Sequence, residues 1–160
     1  MPMLKVSRQH TSTNQLCHVE TDEYPEIIKV WESSVRATHD FLSEEDIQFF
    51  KPLILNEYLK AVDLRCIKNA DGEILGFVGV AEKNIEMLFV AAEARGTGVG
   101  GLLLRHAIDE LQAVKVDVNE QNPQAVGFYE RHGFYIVGRS PVDGMGKPFP
   151  LLHMELSSNR

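Results

Sequence analysis

Ile27, Trp31 and Val35 recur at i, i+4 and i+8, a spacing that lines up one face of a helix and predicts its burial. Thr21 or Asp22 can open that helix, and Pro25 falls in its first turn, where a missing N–H is tolerated. A strand over Leu16–Glu20 leads into it, after a short strand-like run at Met3–Val6 and a polar, aperiodic stretch from Ser7 to Gln15. A second helical pattern places Ile47, Phe50, Ile54 and Tyr58 on one side. Ser43 with Asp46 three residues on forms its capping box, and Pro52 is expected to kink or split it.

The pattern then changes to strands. Val62–Lys68 and Ile74–Ala81 flank Asn69-Ala70-Asp71-Gly72, whose Asp-Gly pair signals a hairpin, and Ile85–Val90 extends the meander. Helical spacing returns over Val99–Leu111, followed by a strand over Val114–Val118 and a helix that starts at Pro123 and ends at Gly133. Two further strands, Tyr135–Arg139 and Leu151–Leu156, enclose a Gly- and Pro-rich loop from Pro141 to Pro150. No segment repeats. The 160 residues, 44% hydrophobic, suit one domain with a sizeable core. Residues 16–156 form that domain, with residues 1–15 as an N-terminal extension and 157–160 as a tail.

The net charge of −7 argues against nucleic acid as a partner, because phosphate neutralisation needs clustered Lys and Arg. Cys17 and Cys66 are far apart along the chain with no nearby His cluster, so neither a metal site nor a disulfide framework is expected. No apolar run has the length of a signal core or a membrane span, and a cytoplasmic protein without membrane contact is the expectation.

Candidate chemistry centres on Arg95-Gly96-Thr97-Gly98-Val99-Gly100-Gly101, a glycine cluster between a strand and a helix. That arrangement turns orphan backbone N–H groups and the helix dipole toward an anion, which points to phosphate. A Walker A loop requires GK[ST] at the helix start, where Gly100-Gly101-Leu102 stands instead. Gly96, Gly98 and Gly101 satisfy the dinucleotide pattern GxGxxG, with Asp117 about twenty residues on as a ribose acid. Against that reading, Ala91–Arg95 intervene between strand and glycines, and only one more helix follows.

Arg95-x-x-Gly98-x-Gly100 resembles the Q/R-x-x-G-x-G/A signature of the GNAT superfamily of N-acetyltransferases. Asn122-x-x-Ala125-x-x-Phe128-Tyr129-x-x-x-Gly133-Phe134 resembles that family's second signature, in the right order and spacing. The resemblance covers roughly Leu16 to Leu156. Ala92, where many members carry proline, is a departure.

The resemblance implies an α/β (α+β) fold: a mixed, mostly antiparallel twisted sheet with helices on both faces and acetyl-CoA in a V-shaped gap between two central strands. It implies that Leu88, Phe89 and Val90, on a bulged strand, and the loop Arg95 to Gly101 hold the cosubstrate, with Asn122, Ala125 and Phe128. Asn122 has a second reading as the cap of its helix. Tyr129 matches the family tyrosine that protonates the leaving thiolate, although a packed helix tyrosine is its plain alternative. Glu86, placed by strand alternation on the face of Leu88 and Val90, is the candidate base; Asp117 and Asn119 share a face of the next strand and follow it. Trp31, His39, Phe41 and Asn119 are expected at the acceptor site, with core or surface packing as the alternative for the first three. No metal is expected.

The expected function is transfer of an acetyl group from acetyl-CoA to a primary amine, on a small molecule, peptide or protein, by a monomer or homodimer. A non-catalytic acyl-CoA sensor is the alternative, and a dinucleotide module a more distant one.

Overall fold

The computed structural model describes residues 14–158, so the strand expected at Met3–Val6 and nearly all of the 1–15 extension lie outside them. Strands β1 (Gln15–His18), β2 (Asp63–Lys68), β3 (Ile74–Ala81), β4 (Asn84–Val90), β5 (Lys115–Asn119), β6 (Phe134–Ser140) and β7 (Leu151–Leu156) form one sheet in the order β1-β2-β3-β4-β5-β7-β6. Every neighbouring pair is antiparallel except β4 with β5.

Helices α1 (Tyr24–Thr38) and α2 (Glu44–Leu53) pack on one face, and α3 (Val99–Asp109) and α4 (Pro123–Arg131) on the other. Ile27, Trp31 and Val35 of α1 meet Phe77 and Met87 on the first face; Leu103 and Leu104 of α3 meet Val78, Val80 and Ile85 on the second. The unbroken apolar run of β3 is thereby explained, since a central strand covered on both faces has no polar side. Among the described residues no helix is long and apolar enough to cross a membrane.

The local signals act where they were expected, with adjustments. Ser43 Oγ accepts from the Asp46 N–H at 3.1 Å and Asp46 Oδ2 accepts from the Ser43 N–H at 3.0 Å, which completes the capping box of α2. Pro52, which has no N–H, precedes a change from α to a π-type turn at Ile54–Tyr58. Instead of an α-helix from Thr21 or Asp22, a 3₁₀ turn at Thr21–Glu23 comes first and α1 begins at Tyr24.

Candidate active site

The parallel pair β4 and β5 is the short joint of the sheet. Only Asn84↔Lys115 and Ile85↔Val116 are in register, and beyond them the strands part around a cleft of about 690 Å³. Glu86 is the extra residue of a bulge, because β3 pairs Gly79 with Met87 and then Val80 with Ile85. The bulge interrupts the alternation between Ile85 and Met87 and leaves it intact beyond: Met87 and Phe89 pack with the α1 cluster, Ile85 and Leu88 with the α3/α4 cluster, and Val90 touches both. Glu86 borders the cleft and also a second cavity on the α1 side.

One end of the cleft is the start of α3. Gly98 is its N-cap at φ +90° with no side-chain cap, and Gly96 sits at φ +76°. Both are left-handed conformations that glycine adopts without a Cβ penalty. The first intrahelical bond is from Leu102 N–H to Gly98 O at 3.1 Å, so the N–H groups of Val99, Gly100 and Gly101 precede the ladder. Open space stands over Gly96 and Gly98, where a Cβ would meet nothing within 4 Å. These features fit a phosphate group and would cradle one by backbone alone. Gly96, Gly98, Gly100, Gly101 and Arg95 line the cleft; the Thr97 hydroxyl instead donates to Ala94 O, and Val99 is buried.

Helix α4 forms the opposite wall. Asn122 Oδ1 accepts from the Ala125 N–H at 3.3 Å, so Asn122 caps the helix while also lining the cleft. Gln124 Oε1 accepts from Arg95 Nη2 at 2.7 Å, which ties the glycine loop to α4. Phe128 reaches over Gly100, and Ala125 and Tyr129 complete the wall. Tyr129 is 6% exposed, and burial raises its phenol above the ordinary value of 10.0, so it keeps its proton through neutral pH.

Two carboxylates face this space. Glu86 Oε2 accepts from Asn84 Nδ2 at 2.7 Å. Asp117 lines the cleft from β5, beside Asn119, and bonds to His153 on β7. His39, the C-cap of α1, also lines it; the Thr38 hydroxyl, which donates to Ser34 O at 2.8 Å, lies 2.7 Å from His39 Nδ1. Burial pulls the His39 ring down to about 4, so it is neutral at physiological pH.

A cavity of about 200 Å³ adjoins the cleft and shares His39, Glu86, Met87, Phe89 and Asn119 with it. Trp31 lines this cavity, as do Phe149 and Asp143 from the loop before β7. Phe41 borders neither space and backs His39 and Phe149, ring centroids 5.2 and 5.7 Å away. Among the described residues no cluster of His, Cys, Asp or Glu could hold a metal.

The sequence model of the acetyltransferase (GNAT) domain matches residues 38–157. The chain is 40% identical over 133 residues to the peptidyl-lysine N-acetyltransferase YjaB of Escherichia coli K12, a match covering 83% of this chain and 90% of that protein. This chain belongs to the GNAT family. The solution structure of apo-form YjaB from E. coli, 37% identical, superposes with a TM-score of 0.79 over 89% of this chain and 96% of that one. A crystal structure of PaiA N-acetyltransferase from Thermoplasma acidophilum in complex with coenzyme A has the same fold at 17% identity, with a TM-score of 0.71 over 91% and 99%. The GNAT sheet and helices expected from the two signatures are those observed, and the chain is an N-acetyltransferase that acts on an amine.

The geometry adds residues that pattern reading passed over. Ser34, Thr38, Gln124 and Arg131 all border the cleft. Gln124 and Arg131 occupy variable positions within or beside the second GNAT signature, so nothing in the motif marks them. The two cysteines, distant along the chain, prove to be register partners across β1 and β2 and are both free thiols.

Proposed function

We propose that this N-acetyltransferase moves an acetyl group from acetyl-CoA to the side-chain amine of a peptidyl lysine, by direct attack in a ternary complex. The observation that carries this reading is the buried, protonated Tyr129 in the same cleft as the uncapped, glycine-opened end of α3. The lysine acceptor rests on the similarity to YjaB. A cytosolic location belongs to the same proposal.

The cosubstrate supplies the activated acetyl group; the remaining tasks fall to the chain. The start of α3 binds phosphate through its free N–H groups, and the walls at Leu88, Phe89, Val90, Asn122, Ala125 and Phe128 hold the arm. Tyr129 gives its hydroxyl proton to the departing sulfur. Glu86, at the junction of the cleft and the second cavity, takes a proton from the incoming ammonium directly or through a water. The aromatic lining of the second cavity, with Trp31, His39 and Asn119, accommodates the acceptor's apolar stem.

The test is a panel of lysine peptides and small amines incubated with acetyl-CoA while CoA release is followed. Turnover with lysine peptides is expected. Turnover with small amines alone would remove the peptidyl acceptor, and tight acetyl-CoA binding with no turnover on any amine would make the chain a sensor.

A further inference from the structure

Three side chains on three adjacent strands form a hydrogen-bonded line that starts in the cleft. Asp117 Oδ1 on β5 lies 2.6 Å from Nδ1 of His153 on β7, and His153 Nε2 lies 2.7 Å from Oγ of Ser140 on β6. Strand register builds it. Asp117 and His153 are direct partners, and a bulge between Ile136 and Gly138 brings Gly138 opposite His153. A Cβ on Gly138 would stand 3.5 Å from the imidazole Cδ2, so the ring lies across bare backbone on its way to Ser140.

The line is not core packing, since the side chains of Asp117 and His153 are 46% and 35% exposed. With Asp117 ionised, Nδ1 must carry a proton and donate to Oδ1. Nε2 accepts from the Ser140 hydroxyl when the ring is neutral. When the ring is protonated, Nε2 donates to the same oxygen, because a hydroxyl can turn. The imidazole therefore gains or loses a proton without breaking either bond. The pair carries one negative charge with a neutral ring and none with a protonated one.

We infer that His153 is a positioning residue for Asp117: it holds Oδ1, leaves Oδ2 to receive the acceptor as a cationic ammonium, and switches that attraction off when it is protonated. This rests on acetyl transfer in the cleft as proposed above. Other charges around the ring are few. On β7 Glu155 lies two residues along, with Lys115 as its register partner on β5. On β6 Arg139 is tied to Glu120 at 2.7 Å, and Glu86 stands across the cleft. Among the described residues Asp117 is the acid bonded to the imidazole.

The experiment measures initial rates against a lysine peptide at saturating acetyl-CoA from pH 5.5 to 8.5, for wild type, His153→Asn and His153→Ala. In wild type, KM for the peptide is expected to rise by about fivefold as the ring is protonated, the scale of a partly exposed ion pair, with KM for acetyl-CoA unchanged. His153→Asn keeps a donor for Oδ1 and cannot titrate, so it should hold the high-pH KM and lose the rise. His153→Ala should raise KM at every pH with kcat little altered. Coincident KM profiles in wild type and His153→Asn, or an unchanged peptide KM in folded His153→Ala, would overturn the inference alone. Absence of turnover with every amine would overturn it together with the function on which it rests.

Discussion

The rings of Tyr129 and Phe134 stand edge to face, centroids 5.5 Å apart and planes at 75°. This contact, with Phe128 at 5.2 Å, fixes the phenol by its ring alone, since its hydroxyl has no hydrogen-bond partner among the described residues. The side chain is held by packing while its hydroxyl is left uncommitted.

Tyr129→Phe should therefore leave the melting temperature within a degree or two of wild type, because no internal hydrogen bond is lost and the ring contacts remain. Turnover should fall by roughly one hundredfold, the low end for a positioned acid, since a thiolate leaves readily. Acetyl-CoA affinity by calorimetry should change far less. Wild-type turnover in a folded variant would take the hydroxyl out of the mechanism.

Gly98 and Gly100 separate backbone strain from ligand obstruction. Gly98→Val forces a branched residue to φ +90° and should cost about 1 to 3 kcal/mol of stability, although space is open above it. Gly100→Ala meets Phe128 and Val90 at an ordinary 3.6 Å in the first turn of α3, so the fold should hold or gain slightly. Acetyl-CoA affinity should nevertheless drop in both, by calorimetry. Unchanged affinity in folded Gly100→Ala would mean that the cosubstrate does not approach this backbone.

Glu86→Gln keeps the shape of the side chain and its contact with Asn84 but cannot take a proton. Its kcat/KM for the amine should fall by about one hundredfold at neutral pH and lose the acid-limb dependence that the carboxylate imposes, with acetyl-CoA affinity unchanged. A pH profile parallel to wild type would pass the role to Asp117 or to a water.

His39 makes stability depend on pH. The unfolded chain protonates this ring near 6.5, whereas the folded protein resists until about 4, so between those values the unfolded state binds more protons. Stability is then lost as pH falls through that window, by up to about 3 kcal/mol. Glu44, which its bonds to Arg36 pull down to about 2, adds a loss only below its ordinary 4.5. Denaturant melts from pH 7 to 4 should show a shallower slope in His39→Gln, and equal slopes would contradict the assignment.

Local chemistry was readable wherever it was carried by neighbours along the chain. The Ser43 and Asp46 box, the Asp71-Gly72 turn and the cap at Asn122 each depend on residues two to four apart, and each appears as expected. The glycine loop and Tyr129 were found through motif spacing, and the structure brings them to one cleft. What escaped depends on register between distant segments. Asp117 meets His153 across 36 residues, and Cys17 meets Cys66 across two strands, because hydrogen-bond ladders align them. No periodicity encodes such pairings. The bulge, by contrast, is implied by the family resemblance, and the pairing of β3 with β4 fixes it at Glu86.

The two residue pairs that join β4 to β5 have a mechanical consequence. Strands β1 to β4 with α1 and α2 form one plate and strands β5, β7 and β6 a second; their shared ladder is short, and one apolar cluster beneath Leu103 and Leu104 of α3, with Val80 and Ile85 from the first and Val116 and Met154 from the second, clamps them together. Tyr129 and Asp117 ride with the second plate, and Glu86 and the start of α3 with the first or at its edge. A ligand that spans the gap would bridge the open ends of the two plates, touching at once the side that carries the proton donor and the side that carries the proton acceptor.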